Sequence, residues 1–175
     1  MRHLPLLSAL TLALAACGSD SKPPVPPPPA DQATAPPPTG TPAPAAGPVE
    51  SATYAASLKV DLKNSTRLPS GVYFRDITIG TGTAVAAGQQ VSVHYVASLA
   101  DGKIVDQNGP KDQPYMFTLG AGRVIRGWDE GVVGMKAGGT RQLIVPPELA
   151  YGPGGSGPVP PNAVMVFTVD LPSAR

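Results

Sequence analysis

Few side chains in this sequence could break a covalent bond. The 175 residues include two histidines and one cysteine, Cys17. No His, Cys and Asp residues group at the spacing of a metal site or a nucleophilic triad. His94 invites a proton-transfer reading, but in QVSVHYVASL it alternates with Tyr95, so the two side chains leave a strand on opposite faces. Trp128, the only tryptophan, lies in RVIRGWDEGVVGM behind Arg126-Gly127 and ahead of Asp129 and Glu130. Its chemistry is that of a large flat apolar surface, which can fill a core or floor a pocket. The local residues leave both roles open.

These residues need a frame. From about Ser51 the sequence reads as short strands broken by glycine and proline. In QVSVHYVASL, Val91, Val93, Tyr95, Ala97 and Leu99 recur at period two and share one face. Asp101-Gly102 then supplies a hairpin turn. PYMFTLG puts Tyr115, Phe117 and Leu119 on one face, and AVMVFTVDL does the same with Met165, Phe167, Val169 and Leu171. TRQLIVP reads as a further strand, and GVYFRDITIG as a first strand with less regular alternation. Between them Trp128, Val132 and Met135 fall at i, i+4 and i+7, one stripe of a helix. Asp129 and Glu130 occupy its first turn, where the macrodipole favours negative charge, and Gly138 is placed beyond its end. The layout is α+β, an antiparallel sheet with one short helix laid on it.

The N-terminal third has another character. MRHLPLLSALTLALAAC carries a cationic start and an apolar run from Leu4 to Ala16. A spanning helix needs roughly 20 apolar residues, so this run suits a signal peptide better, assigned to residues 1–16. Leu14-Ala15-Ala16-Cys17 resembles the lipobox of bacterial lipoproteins, which implies lipidation of Cys17. Two or more acyl chains anchor a protein stably where one does not. Cys17 is the sole cysteine, so an intramolecular disulfide is excluded. Residues 17–50 are read as a disordered Pro-rich linker, holding about half of the chain's 23 prolines. In extended polyproline II, at about 3.1 Å per residue, it reaches on the order of 100 Å. The net charge of +1, with 14% charged residues, offers no case for nucleic acid.

The segments VHYVASLADGKIVD, PYMFTLGAGRVIRGWDEGVVGMKAGGTRQLIVPPELAYG and VPPNAVMVFTVDL together resemble the FKBP-type peptidyl-prolyl cis-trans isomerases, in unbroken order from about Gly71 to Leu171. The resemblance implies an antiparallel half-barrel of five to six strands wrapped around one short α-helix, spanning residues 51–175. It implies a shallow prolyl pocket with Trp128 as floor, lined by Tyr95, Tyr115, Phe117, Val124, Ile125, Tyr151, Val159 and Phe167, with Asp106 at the rim. The Ile125 N–H and the Tyr151 hydroxyl are expected to bond ligand carbonyls, and Val105 to border the prolyl ring. Three departures from the family pattern stand out: Val105 where phenylalanine is common, a short glycine-rich loop with Pro158, and Arg123 where an acid is frequent.

The implied reaction breaks no bond. Twisting an amide costs ~18–20 kcal/mol of lost resonance, and water favours the planar, charge-separated form. Shape and desolvation therefore act without a nucleophile, cofactor or metal, and none is expected. The expected partners are proline-containing exported polypeptides, with macrolide inhibitors as further ligands and the membrane reached through lipid. A monomer in the cell envelope facing the periplasm is expected. Gly18, after the cysteine, carries no acidic retention signal and favours the outer membrane over the inner, with a surface-exposed location left open. A second reading keeps the fold and gives the same pocket a non-catalytic binding or chaperone role.

Overall fold

The computed structural model describes residues 48–109 and 113–174; the expected signal peptide, Cys17 and nearly all of the linker lie outside them. Its centre is a seven-stranded antiparallel sheet: β1 (Thr66–Arg67), β2 (Tyr73–Thr78), β3 (Gln90–Leu99), β4 (Ile104–Asn108), β5 (Tyr115–Thr118), β6 (Gly139–Val145) and β7 (Met165–Ala174). The spatial order is β1-β2-β6-β7-β3-β4, with β5 also paired to β3. The expected five to six strands are all present, and the extra one is β1. At two residues, it is too short to leave a periodic signal.

The strands follow their alternation. Val91, Val93, Tyr95 and Ala97 of β3 point into the main core beside Met165, Phe167, Val169 and Leu171 of β7. Strand β7 runs on to Ala174, past Pro172. Its ladder with β3 slips between His94↔Asp170 and Ser92↔Ser173, where proline has no N–H to donate. In β6 alternation fails because both faces are covered. Leu143 and Val145 join the main core, while Ile144 joins a second cluster on the other face with Val49, Tyr73, Val164 and Val166.

That second cluster explains where the chain enters the domain. A short helix, α1 (Pro48–Ser51), and the segment after it lay Ala52, Tyr54, Leu58, Val60 and Leu62 across the outer face of the sheet. Val49 is 1% exposed, so the packed structure reaches three residues ahead of Ala52 and includes the end of the stretch read as linker. Tyr73 donates to Glu50, Arg75 to the Lys59 carbonyl at 2.8 Å and Gln142 to the Leu58 carbonyl at 2.7 Å.

The helix that carries Trp128 is shorter than the stripe of apolar residues suggested. It covers Arg126–Gly131 (α2), and Val132, Met135 and Gly138 lie beyond it. The left-handed glycine that follows α2 is Gly134, with φ +76°; Gly138 also has a positive φ, +82°, but lies well past the end of the helix. Met135 remains buried from a turn in which its N–H bonds the Val132 carbonyl at 3.0 Å. Close approach to β6 is what α2 needs from its glycines. A methyl at Gly127 would overlap Val145, and one at Gly131 would come within 2.8 Å of Leu143. Behind α2, Arg141 of β6 is 4% exposed. It donates to both oxygens of Asp76, at 2.6 and 3.0 Å, and to the Gly131 and Val133 carbonyls at 2.9 and 3.1 Å. The guanidinium thus meets the carbonyl end of α2, where positive charge is favoured.

Candidate functional site

The concave face of the sheet and the N-terminal end of α2 leave an open cleft of about 360 Å³, lined by Tyr95, Ala97, Asp106, Tyr115, Val124, Ile125, Trp128, Tyr151 and Phe167. Each element delivers particular walls. Strand β3 supplies Tyr95 and Ala97, β4 Asp106, β5 Tyr115, and β7 Phe167. Trp128, the third residue of α2, is 4% exposed and closes the bottom. Its ring meets Tyr95 edge-on at 5.2 Å and Phe167 edge-on at 5.5 Å, with Phe117 tilted at 5.7 Å. Offset and edge-on contacts of this kind hold aromatic rings in place beyond simple burial.

Eight of the eleven expected pocket residues meet in this cleft, and Ala97 joins them. Alanine at an inward position carries no chemical signal in the sequence, so its place on the wall follows only from the fold. Phe117, Val159 and Val105 do not line the cleft. Phe117 stands behind Trp128 and Tyr115, 5% exposed. Val159 is buried and held by a two-bond bridge to Ser156. Val105 is the additional residue of a β-bulge: Ala97 pairs with Asp106 and Ser98 with Ile104, leaving Val105 unpaired and packed against the core. Asp106 stands opposite the cleft residue Ala97 and shares its face, and the bulge brings Val105 to the core on that side as well.

The approach to α2 is strapped by Asp129. Its two carboxylate oxygens accept the N–H groups of Gly120 and Gly122 at 2.8 and 3.0 Å. This holds the turn that leads into Val124 and Ile125. The Ile125 carbonyl accepts from Trp128 and Asp129 N–H, whereas no acceptor among the described residues takes the Ile125 N–H. Buried donors are ordinarily paired, so this group is available to a ligand.

Polar groups at the cleft are few and oriented. Tyr95 donates to Asp106 at 2.6 Å, and the other oxygen of Asp106 accepts the Gln107 N–H at 2.9 Å. Burial, then the bond to Asp106 and its charge, push the Tyr95 hydroxyl far above the usual tyrosine range. Burial and the nearby Asp106 charge also raise Tyr151. Burial raises Tyr115 against the opposing pull of the Arg123 charge. All three therefore stay protonated at neutral pH, and Tyr151 keeps a hydrogen to donate. His94 lies outside the cleft, with its Nδ1 2.9 Å from Asn108 Oδ1. Among the described residues no group of three or more His, Cys, Asp or Glu could hold a metal ion.

A sheet curled over one short helix, with an aromatic cleft at the helix N-terminus, defines a recognisable class. The model of the FKBP-type peptidyl-prolyl cis-trans isomerases matches residues 81–172, and the chain belongs to that family. Among curated relatives, FK506-binding protein 4 of Rhizopus delemar is 46% identical over 111 residues, which are 63% of this chain and 29% of that protein. FK506-binding protein 1 of Dictyostelium discoideum is 45% identical over 102 residues, 58% of this chain and 95% of the relative. The chain thus spans under a third of the first relative's length and nearly all of the second's. A solved peptidyl-prolyl cis-trans isomerase of Pseudomonas syringae pv. tomato is similar at 34% identity and a TM-score of 0.58, over 68% of this chain and 86% of that one.

Proposed function

We propose that the cleft takes the proline of an X-Pro bond and accelerates its cis-trans isomerisation in exported proteins. The observation that carries this reading is the cleft itself: an apolar floor at Trp128, aromatic walls, and two lining residues, Ile125 and Tyr151, whose N–H and hydroxyl have no partner among the described residues. The prolyl ring rests on Trp128 and loses its water. The planar amide is the more polar form, so removing solvent favours the twisted one. A donor to the substrate carbonyl fixes the acyl side while the prolyl side turns. No proton has to leave the protein in this reaction, in keeping with three tyrosines whose raised pKa values hold them neutral. Each tenfold of rate needs only about 1.4 kcal/mol of preferential stabilisation, within reach of desolvation and shape. A protease-coupled assay on a Leu-Pro peptide tests it: a rate above the uncatalysed one is expected, lost in Trp128→Ala. Binding without any rate would favour the non-catalytic alternative.

The same reading anchors the protein by lipid at Cys17, in a bacterial envelope, facing the periplasm and most naturally on the outer membrane. Support for it comes from Leu14-Ala15-Ala16-Cys17, the apolar run before it and the absence of any other cysteine. The Pro-rich stretch then serves as a spacer between membrane and domain. Palmitate labelling tests the anchor: Cys17→Ser is expected to give an unlabelled, unprocessed precursor, and equal labelling of both forms would rule the anchor out.

A further inference from the structure

Among the described residues four arginines are paired with an acid. Arg67 meets Glu50, Arg75 meets Asp61, Arg126 meets Glu130 and Arg141 meets Asp76. Arg123 is the one described arginine without such a partner, and it is exposed. An unpaired cation is ordinary on a surface, and position is what sets this one apart. Arg123 directly precedes Val124 and Ile125, two residues that line the cleft. Consecutive Cα atoms are about 3.8 Å apart, so its backbone stands at the cleft's edge.

The backbone that presents Arg123 is held in place. Gly120 and Gly122 take positive φ, +76° and +66°, and Asp129 accepts both of their N–H groups. The carboxylate of Asp129 is thereby committed to the turn. Asp106, the one acid among the lining residues, is committed too, to the Tyr95 hydroxyl and the Gln107 N–H. Arg123 is thus the uncommitted charge beside the cleft. Its field reaches a cleft wall, because it opposes the burial that raises the Tyr115 hydroxyl. That hydroxyl also has no hydrogen-bond partner among the described residues, which leaves a second donor within range of the same charge.

We propose that Arg123 is a specificity-determining residue, which favours X-Pro substrates carrying a carboxylate side chain beside the proline. The planar guanidinium matches a carboxylate through two parallel N–H bonds, and Arg123 gives up no internal ion pair to make them. The Tyr115 hydroxyl adds a donor on the same side. A cation in the substrate at that place is disfavoured by like charge. The contact is exposed to water, so it sorts substrates by a modest factor and leaves the rotation itself to the cleft. The proposal rests on the prolyl reading of the site, because the proline seated on Trp128 is what brings its neighbour to Arg123.

The test uses the full chain and two peptide series, Ala-Xaa-Pro-Phe and Ala-Leu-Pro-Xaa, with Glu, Gln or Lys as Xaa. NMR exchange spectroscopy reads the catalysed cis-trans rate without a coupling protease, at fixed enzyme and peptide concentrations. In at least one series the wild-type rate is expected to be about threefold higher for Glu than for Gln, and lower for Lys by a similar factor. Arg123→Gln is expected to bring the Glu-to-Gln ratio to about one, and Arg123→Glu to invert it. Arg126→Gln removes a neighbouring exposed cation that Glu130 already holds at 3.5 Å, and is expected to keep the wild-type ratio. In ~1 M NaCl, where the screening length is about 3 Å, the ratio is expected to fall toward one. Equal rates for Glu and Gln in both series at low salt overturn the proposal. So does a preference that survives Arg123→Gln, or one lost equally in Arg126→Gln. A wild-type protein that fails to catalyse exchange even in the Gln peptides sinks the prolyl reading, and the proposal with it.

Discussion

The hydroxyl of Tyr95 donates to Asp106 at 2.6 Å, so two polar groups on an apolar wall are turned on one another. Tyr95→Phe removes the donor and leaves a carboxylate oxygen in the cleft without it. Hydrogen bonds to charged groups are worth about 1.5–3 kcal/mol, so a loss near tenfold in kcat/KM is expected. Asp106→Asn keeps an acceptor for Tyr95 and is expected to lose only about threefold, less than 1 kcal/mol. The coupled assay on both variants checks the order; a larger loss in Asp106→Asn would give the charge itself a role.

Burial raises the pKa of Tyr54, Tyr73, Tyr95, Tyr115 and Tyr151 alike. A group whose folded pKa lies above its unfolded value stabilises the fold fully below the unfolded value and loses that contribution as pH rises past it. For tyrosine the unfolded value is about 10, so stability is expected to decline from about pH 10 upward. Urea midpoints at pH 8 and pH 10.5 measure the loss. Between about pH 6 and 9 none of these hydroxyls titrates, and kcat/KM is expected to be nearly flat. A bell-shaped profile near neutrality would return His94 to the chemistry.

Arg141→Met strands Asp76 and the carbonyl end of α2 together. Removing one partner of a buried, hydrogen-bonded ion pair costs about 3–5 kcal/mol, and a loss toward the lower figure is expected because Asp76 is partly exposed. Arg141→Lys cannot reproduce the paired bonds to Asp76 while reaching both carbonyls, so it is expected to rescue little. Urea unfolding of both variants measures this. Near-complete rescue by lysine would mean that charge, and not the shape of the guanidinium, holds α2.

Val105 packs beside the cleft without entering it, which leaves that edge short of apolar surface. Val105→Phe adds ~40 Å² of contact, about 1 kcal/mol at ~25 cal/mol per Å². A plain prolyl inhibitor is then expected to bind about fivefold tighter, and one enlarged on that side more weakly. Titration with both ligands decides it: unchanged or weaker binding of the plain one would show the edge already filled, by Tyr115 or by the short loop.

The sequence by itself determined every strand but β1, the site's aromatic members and the family. These rest on period-two alternation in β3, β5 and β7 and on the run from Arg123 to Tyr151, both local properties of the chain. Only the tertiary structure decided the rest. The end of α2 was misread because Met135 is buried from a turn as fully as it would be from a helix, and burial is what makes the apolar stripe. The regularity of β6 was hidden because the segment from Val49 to Leu62 covers its second face, a contact nearly a hundred residues away along the chain. Val105 and Asp106 are neighbours that alternation would send to opposite faces; the bulge opposite Ala97, a property of the pair of strands, is what packs Val105 against the core on the side where Asp106 meets the cleft. Asn108 looks like any polar residue at the end of a strand. Its hydrogen bonds depend on His94 and Gln113 arriving from two other segments, and one-dimensional patterning holds no record of that meeting because hydrogen-bond geometry exists only between folded partners.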